Sequence, residues 1–460
     1  MTAASAAVLV KPRAVFTEGS TMRHVAVMTA TGSVGLMAIF FVDLLSLLYV
    51  SRLGDQSLKA AVGYSSQVLF LAMSINIGLT IAVTATVSRA LGAGDRPKAR
   101  RLAASGLAIS AIVATIIAAA LLGLRGQILE HALHAHGRAG EVAYQFLAIT
   151  LPANVPMALG MCLSGVLRAT GDARRAMYVT LAGGFVTAFT DPLLIFGFGL
   201  GVYGAAWATV ISRLVFLGVG AYGAIHIHHL VGRPEWRSIW RDLRPLMGIG
   251  LPSILANLAT PVAAVYITRV ISDFGEAAVA ATATTDRVIP VAFGVIFALT
   301  GAVGPILGQN LGAKLMHRVR GALTDSFLLS VGYVLVAWAV LFIVSPWINW
   351  AFDASGENAR LVTFFCTYGV SAWVFITCLF VANTAFNNLG FPLLATAFNW
   401  GRATLGTIPF VTIGAKLGGS EHGVEGAMLG VATGAAIFGL SAVVAAYWVT
   451  GRLAKRIERL

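Results

Sequence analysis

The chain has 460 residues, of which 58% are hydrophobic and only 11% charged. A soluble domain carries about 25% charged residues, so this composition excludes a soluble globular protein. The formal net charge of +13 could suit a nucleic-acid partner. However, the basic residues fall in short clusters between apolar runs, as the positive-inside rule expects of a polytopic membrane protein, and no nucleic-acid partner is expected.

Residues 1–22 hold Lys11 and Arg13 but lack the compact apolar stretch of a cleavable signal, and read as a cytoplasmic N-terminal tail. Twelve apolar spans follow, each long enough to cross a hydrocarbon core of about 30 Å. The first six are expected near 25–50, 60–88, 102–124, 142–167, 176–198 and 203–226. A polar inter-lobe linker over 227–245 precedes spans near 246–271, 277–311, 321–345, 361–385, 391–414 and 424–450, and 451–460 is a basic tail. With the N-terminus placed inside, the inner segments hold 22 Lys and Arg and the outer loops six. That asymmetry supports an even number of spans with both termini cytoplasmic. Cys162, Cys366 and Cys378 lie within apolar runs, where core packing is a better reading than a disulfide framework.

The two halves match at an offset of about 220 residues. "SRALGAGD" (88–95) returns as "GQNLGAK" (308–314), and "RLGDQSLKAAV" (52–62) resembles "DFGEAAVAA" (273–281). "VLRATGDARR" (166–175) sits where "AFNNLGFPLL" (385–394) does, and "GVYGAA" (201–206) resembles "GVEGAM" (423–428). Six spans per half give parallel repeats, which build two lobes around an axis along the membrane normal with a path between them. The expected fold is therefore an all-α membrane protein of twelve helices in two pseudo-symmetric six-helix lobes, an N-lobe over 23–226 and a C-lobe over 246–450.

A carboxylate at the centre of a span costs roughly 2.5–3.5 kcal/mol on insertion scales and needs a reason. Asp43 in "FFVDLLSLLYV" has no basic residue within eight positions. Asp191 in "TDPLLIF" is followed by Pro192, which withholds a backbone donor and loosens the helix one turn back. Asp286 is adjacent to Arg287 and is read first as local charge compensation, then as a substrate contact. "TDPLLIFG" (190–197) aligns with "TIPFVTIG" (407–414), so Pro409 repeats Pro192 while Ile408 stands opposite Asp191. The proline thus belongs to the shared scaffold and the carboxylates to a task of the N-lobe. Two carboxyls together in a poorly hydrated cavity would hold and release protons near neutral pH. Phe40 and Phe41 either line an apolar substrate cavity or face lipid. No GxxxxGK[ST], HExxH or nucleophile-elbow motif occurs, so neither an ATPase domain nor an enzyme is expected, and no cofactor. "HIHH" (226–229) has no further ligands nearby, and no metal is expected.

These motifs resemble the multidrug and toxic compound extrusion (MATE) transporters. "VDLLSLLYVSRLGD" (42–55), "LGAGDRPKARR" (91–101), "LRATGDARRA" (167–176), "TDPLLIFGFGLGVYGAAWATVIS" (190–212) and "GQNLGAK" (308–314) carry the likeness. The resemblance implies two six-helix lobes that export amphipathic, often cationic small molecules, such as drugs or toxic organic cations, against a proton or sodium gradient. Asp43 and Asp191 match the acids of the DinF-like branch, Thr209 matches a helix 6 threonine of the same site, and Thr187 stands where Asn is frequent. Ser164 replaces a typical Asn of helix 4. The acids that the NorM-like branch places in helices 7 and 10 are missing from 246–271 and 361–385. The proline linked to bending of helix 1 is also absent, although Gly32 and Gly35 could permit a bend, and Pro252 aligns with Thr31 and Gly32. The resemblance implies a monomer in the inner membrane of a bacterium, coupled to protons, with sodium as the alternative ion and a lipid-linked oligosaccharide flippase as the alternative function.

Overall fold

A computed structural model describes residues 14–459; residues 1–13 of the expected N-terminal tail, and Leu460, lie outside the described residues. Long apolar helices dominate it, and the first six form one lobe. They are α1 (Thr21–Ser51), α2 (Gln56–Gly92), α3 (Arg96–Gln127), α4 (Gly137–Thr150 and Asn154–Ala169, bent by 52°), α5 (Ala173–Pro192) and α6 (Val202–Ala221). The second lobe contains α7 (Trp236–Ser272), α8 (Glu276–Gly312), α9 (Met316–Ala351) and α10 (Gly356–Phe364 and Ser371–Leu389). It ends with α11, which starts as Pro392–Ala403 and resumes at Ile408, and α12, which follows a backbone break at Gly419 and His422 and runs to Glu458. Counting that break as a loop gives twelve spans among the described residues, as the repeat requires.

Local chemistry sets the ends of these helices. Asp55, Asp95 and Asp172 each accept a hydrogen bond from a backbone N–H in the first turn of α2, α3 and α5, satisfying donors that a helix start leaves free. The turns after α2 and α8 use the same left-handed residue, Gly94 at φ +73° and Lys314 at φ +60°. Glycine adopts that conformation without strain and lysine does so at a cost, so the turn geometry has outlasted its sequence. α1 is one uninterrupted helix. Gly35, a candidate for a bend, instead lets α1 approach α5, because a methyl there would run into Thr180.

The linker is shorter than the expected 227–245. Helix α7 begins at Trp236, since Asp242 is buried and accepts from Arg101 Nε at 3.1 Å and Ser105 Oγ at 2.9 Å. Trp236 and Trp240 remain on the outside, 65% and 61% exposed, as interfacial tryptophans do. The remaining linker is tied down by His228, whose Nε2 lies 2.7 Å from Asp172 Oδ2 and whose carbonyl accepts from Arg96. Burial alone would push the Asp172 carboxyl up, but the hydrogen bonds of Arg175 and His228 hold it below the usual carboxylate range.

The lobes meet along α1 with α8 and α2 with α7, and backbone touches backbone where α2 and α8 end, on the face that carries both termini. A methyl on Gly92 would run into the carbonyl of Gln309, and one on Gly312 into that of Arg89. Arg89 donates to the carbonyls of Asn388 (2.9 Å) and Asn387 (2.8 Å) at the end of α10. Gln309, its repeat mate, donates to the Ala169 carbonyl (2.7 Å) at the end of α4. The segment ahead of α1 covers this contact. Phe16 is buried; its N–H donates to Gln309 Oε1, and its carbonyl accepts from Asn310 and Arg318. Val15 and Phe16 also touch Gly171 of the first lobe. The final turns of α2 and α8 are almost wholly buried, whereas their first halves alternate with exposed positions. The interior therefore closes on the face of the termini and parts toward the other.

Overpacking a buried contact costs about 1–3 kcal/mol, so Gly92→Val or Gly312→Val should lower the melting temperature and loosen this closure. The check is labelling of a cysteine placed at Ser88 with a membrane-impermeant maleimide from the face of the termini; the three native cysteines are buried. Faster labelling in both variants is expected, and unchanged labelling would refute the closure.

Candidate functional site

The close approach of α1 and α5 through Gly35, and of Val42 to Gly184, decides which polar groups meet inside the first lobe. Asp191 lies on the last turn of α5 and is 1% exposed. Its Oδ2 accepts a hydrogen bond from the hydroxyl of Ser46 on α1. Asp43, one turn before Ser46, is exposed on α1 and lies within reach of the charge of Asp191. Asp43, Ser46 and Asp191 thus form one cluster at the α1–α5 crossing. Two like charges held together in a poorly hydrated lobe repel, and a proton taken up by either carboxyl removes the repulsion.

Thr187 and Thr209, which the resemblance places at the same site as the carboxylates, donate elsewhere. Thr187 Oγ1 donates to the carbonyl of Gly183 (3.0 Å) and Thr209 Oγ1 to that of Ala205 (2.9 Å), each one turn back on its own helix. Such back-bonding is the usual resource of a hydroxyl in an apolar helix. Gly183 also accepts from Ser212 of α6 (2.8 Å), which fastens α6 to α5 at this level. The direct donor to Asp191 is therefore Ser46, which the sequence reading did not select. Its signal was available: Ser46 follows Asp43 by three residues, so both occupy one face of a helix.

Pro192 behaves differently from the local opening expected behind it. α5 stays helical through Pro192 and then widens into a π-helical turn, Leu193–Gly197. The widened turn is closed by Phe198 N–H on the Leu193 carbonyl at 2.9 Å. π-Bulges are frequent at functional sites, and this one begins two residues after Asp191.

Of the residues expected at a substrate cavity, Phe40 packs beside Gly294 of α8, at the contact of the two lobes, while Phe41 is 61% exposed. Asp286 and Arg287 are both exposed on α8, and no ion pair joins them. The local charge compensation expected there is not formed, because neighbouring helical residues point about 100° apart. His228 of "HIHH" serves Asp172, and no group of three or more His, Cys, Asp or Glu among the described residues is arranged to hold a metal ion.

If the cluster works as drawn, Ser46 should matter more than Thr187. A hydrogen bond to a charged group is worth about 1.5–3 kcal/mol, so Ser46→Ala should lower uphill transport at least about tenfold, while Ser46→Thr keeps most of it. Thr187→Val should change the initial rate less than Ser46→Ala does. Initial rates in everted vesicles decide, and the reverse order would contradict the assignment of Ser46.

Comparison with known proteins agrees with this architecture. The family model MatE matches the chain twice, over residues 33–193 and 252–413, once in each lobe. A protein of Shewanella oneidensis named FAD transporter is 28% identical over 455 residues, covering 94% of each chain. A probable multidrug resistance protein NorM of Thermotoga maritima is 28% identical over 302 residues, covering 63% of this chain and 64% of that one. Among solved structures, the outward-facing conformation of a multidrug resistance MATE family transporter of the MOP superfamily superposes with a TM-score of 0.89. That match has 21% identity and covers 96% of this chain and 99% of the other.

Proposed function

The chain belongs to the MATE family of multi-pass membrane transporters, and from that premise we propose that it is a secondary active exporter of amphipathic small molecules driven by protons. It is a transporter and not an enzyme, and transporters of this family use ion gradients without a cofactor. The observation that carries the proton reading is the Asp43–Ser46–Asp191 cluster, built in the first lobe only. An ionisable group inside a span belongs by default to an ion or proton path, and here two of them share one crossing.

In this reading the face of the termini is cytoplasmic, as the 22 inner Lys and Arg support, and the membrane is the inner membrane of a bacterium. The chain works as a monomer, because each chain contains both lobes. Protons reach the cluster through the side that is open. Protonation removes the Asp43–Asp191 repulsion, changes how α1 lies on α5, and so alters the first lobe when substrate leaves. Thr187 and Thr209 border the same region and serve the cluster by holding the α5 and α6 backbones. Phe40, at the lobe contact, lines the path for apolar groups.

The name of the Shewanella oneidensis relative, an FAD transporter, widens the substrate class beyond organic cations to amphipathic molecules with an anionic part. Sodium is the competing ion, since two carboxylates and neighbouring hydroxyls could supply oxygens to a hard cation.

Proteoliposomes with a proton gradient and a sodium gradient imposed separately test the coupling. Uphill export is expected with the proton gradient alone, and Asp43→Asn or Asp191→Asn should abolish it while the protein still folds. Undiminished pH-driven export by both variants, or export with sodium only, would overturn the reading.

A further inference from the structure

The second lobe contains an unused charge. Arg402 lies in the last turn of the first part of α11 and is 7% exposed. Its Nε is fully enclosed and has no hydrogen-bond partner, and no ion pair or hydrogen bond is made by its guanidinium. A guanidinium has five donors, and an uncompensated charge inside a span is costly enough to mark a functional position.

Ordinary structural roles are already filled by other groups. A basic residue at a helix end usually caps the free carbonyls there. At this break the Trp400 carbonyl accepts from Thr404 N–H (2.9 Å) and Thr404 Oγ1 (2.6 Å). Gly401 accepts from Gly406 N–H (2.8 Å), and the carbonyl of Arg402 itself accepts from Thr407 Oγ1 (2.9 Å). The helix-end dipole favours a cation at this place, but it supplies no partner to the guanidinium. No internal counter-ion meets it either: the buried carboxylate of the lobe, Glu425 on α12, is paired with Arg360 at 3.2 Å, and no carboxylate of the described residues forms an ion pair with Arg402.

An independent feature points the same way. α11 is discontinuous at Thr404–Thr407, and in transporters built from repeats broken helices supply substrate and ion sites. The pieces are held firmly around the break. Thr396 donates to the Pro252 carbonyl (2.7 Å) and Trp400 Nε1 to that of Leu255 (2.9 Å), fixing α11 on α7. Gly406 of the break lies against Gly434 and Phe438 of α12. Asn399, one turn before Arg402 on the same buried face, adds a second polar side chain. In the alignment that pairs Thr190 with Thr407, Arg402 stands where the first lobe has Phe185. The cation is confined to the second lobe, as the carboxylate pair is to the first.

We propose that Arg402, at the break in α11, binds the anionic group of the substrate, a carboxylate or phosphate on an amphipathic molecule. The proposal rests on the exporter reading for its physiological meaning, but its test measures binding and needs no ion gradient.

Riboflavin and riboflavin 5′-phosphate share one ring system and differ by a phosphate. Their binding to the purified protein in non-ionic detergent can be followed by quenching of flavin fluorescence. The phosphate ester should bind about tenfold to a hundredfold more tightly than riboflavin. Arg402→Gln should erase that preference while leaving riboflavin binding unchanged, and Arg402→Lys should retain part of it. Wild-type protein provides the check if the Gln variant is unstable. Phenylglyoxal modification of Arg402, read by peptide mass spectrometry, should be slowed by riboflavin 5′-phosphate and not by riboflavin. Equal binding of both flavins by the wild type, a preference that survives in Arg402→Gln, or equal modification with either flavin would overturn the proposal. Failure of the Asp43 and Asp191 variants to uncouple transport would refute proton coupling and leave this preference untouched.

Discussion

Backbone meets backbone where α2 and α8 cross, and most of the arrangement follows from that contact. Gly92 lies on the carbonyl of Gln309, and Gly312 on that of Arg89. Between lobes in a membrane there is little hydrophobic drive, so close packing of small residues and polar pairing must supply the attraction. Both are present in duplicate, because Arg89 and Gln309 each reach across to carbonyls at the end of the other lobe's fourth helix. The contact also sets the state of the molecule. With the last turns of α2 and α8 locked and covered by Phe16, any path between the lobes leads to the opposite face. A change of access has to break this seam and release the segment ahead of α1 with it.

The repeat was the most legible feature of the sequence, and for a physical reason. Tight backbone contacts admit only glycine, so "LGAG" and "LGAK" kept their register where surrounding side chains drifted. Span count and lobe order followed from it. Less legible were features that depend on which carbonyl a hydroxyl chooses. Thr187 and Thr209 had suitable chemistry, yet each satisfies itself one turn back on its own helix. Ser46 reaches Asp191 across 145 residues of sequence, and nothing local indicates that α1 and α5 cross at this height. The start of α7 is hidden in the sequence because Asp242, buried against Arg101 and Ser105, has the polarity of a linker residue and its partners lie 141 and 137 residues away.

Pro192 and Pro409 show how one inherited residue yields two geometries. Each removes a backbone donor at a matching position. In α5 the chain stays helical through the proline and relaxes afterwards into a π-helical turn. In α11 it opens beforehand, over Thr404–Thr407, because two threonine hydroxyls and the Gly406 N–H take up the carbonyls that the helix would have used. The proline therefore makes a break possible, and its neighbours decide where the break falls. A polar residue close to it is then placed either on an intact helix, as Asp191 is, or beside an open one, as Arg402 is.

This difference bears on how two similar lobes divide their work. In the reading advanced here, carboxylates on intact helices exchange a proton, which needs little space and a firm hydrogen-bond partner such as Ser46. A guanidinium beside a break has no internal partner that an anionic group would have to displace. Charges of opposite sign brought into contact would pair and neutralise each other. Holding the Asp43–Asp191 pair in the first lobe and Arg402 in the second keeps these charges apart and available. Proton uptake by the first lobe then makes the interior more positive as a whole. It would strengthen the hold on an anion in the second lobe unless the seam between α2 and α8 re-forms in a different place. Export against a gradient consequently needs the charge change and the lobe movement to be coupled, and α1 is suited to couple them, since it joins Asp191 of α5 through Ser46 and packs Phe40, one turn before Asp43, against α8.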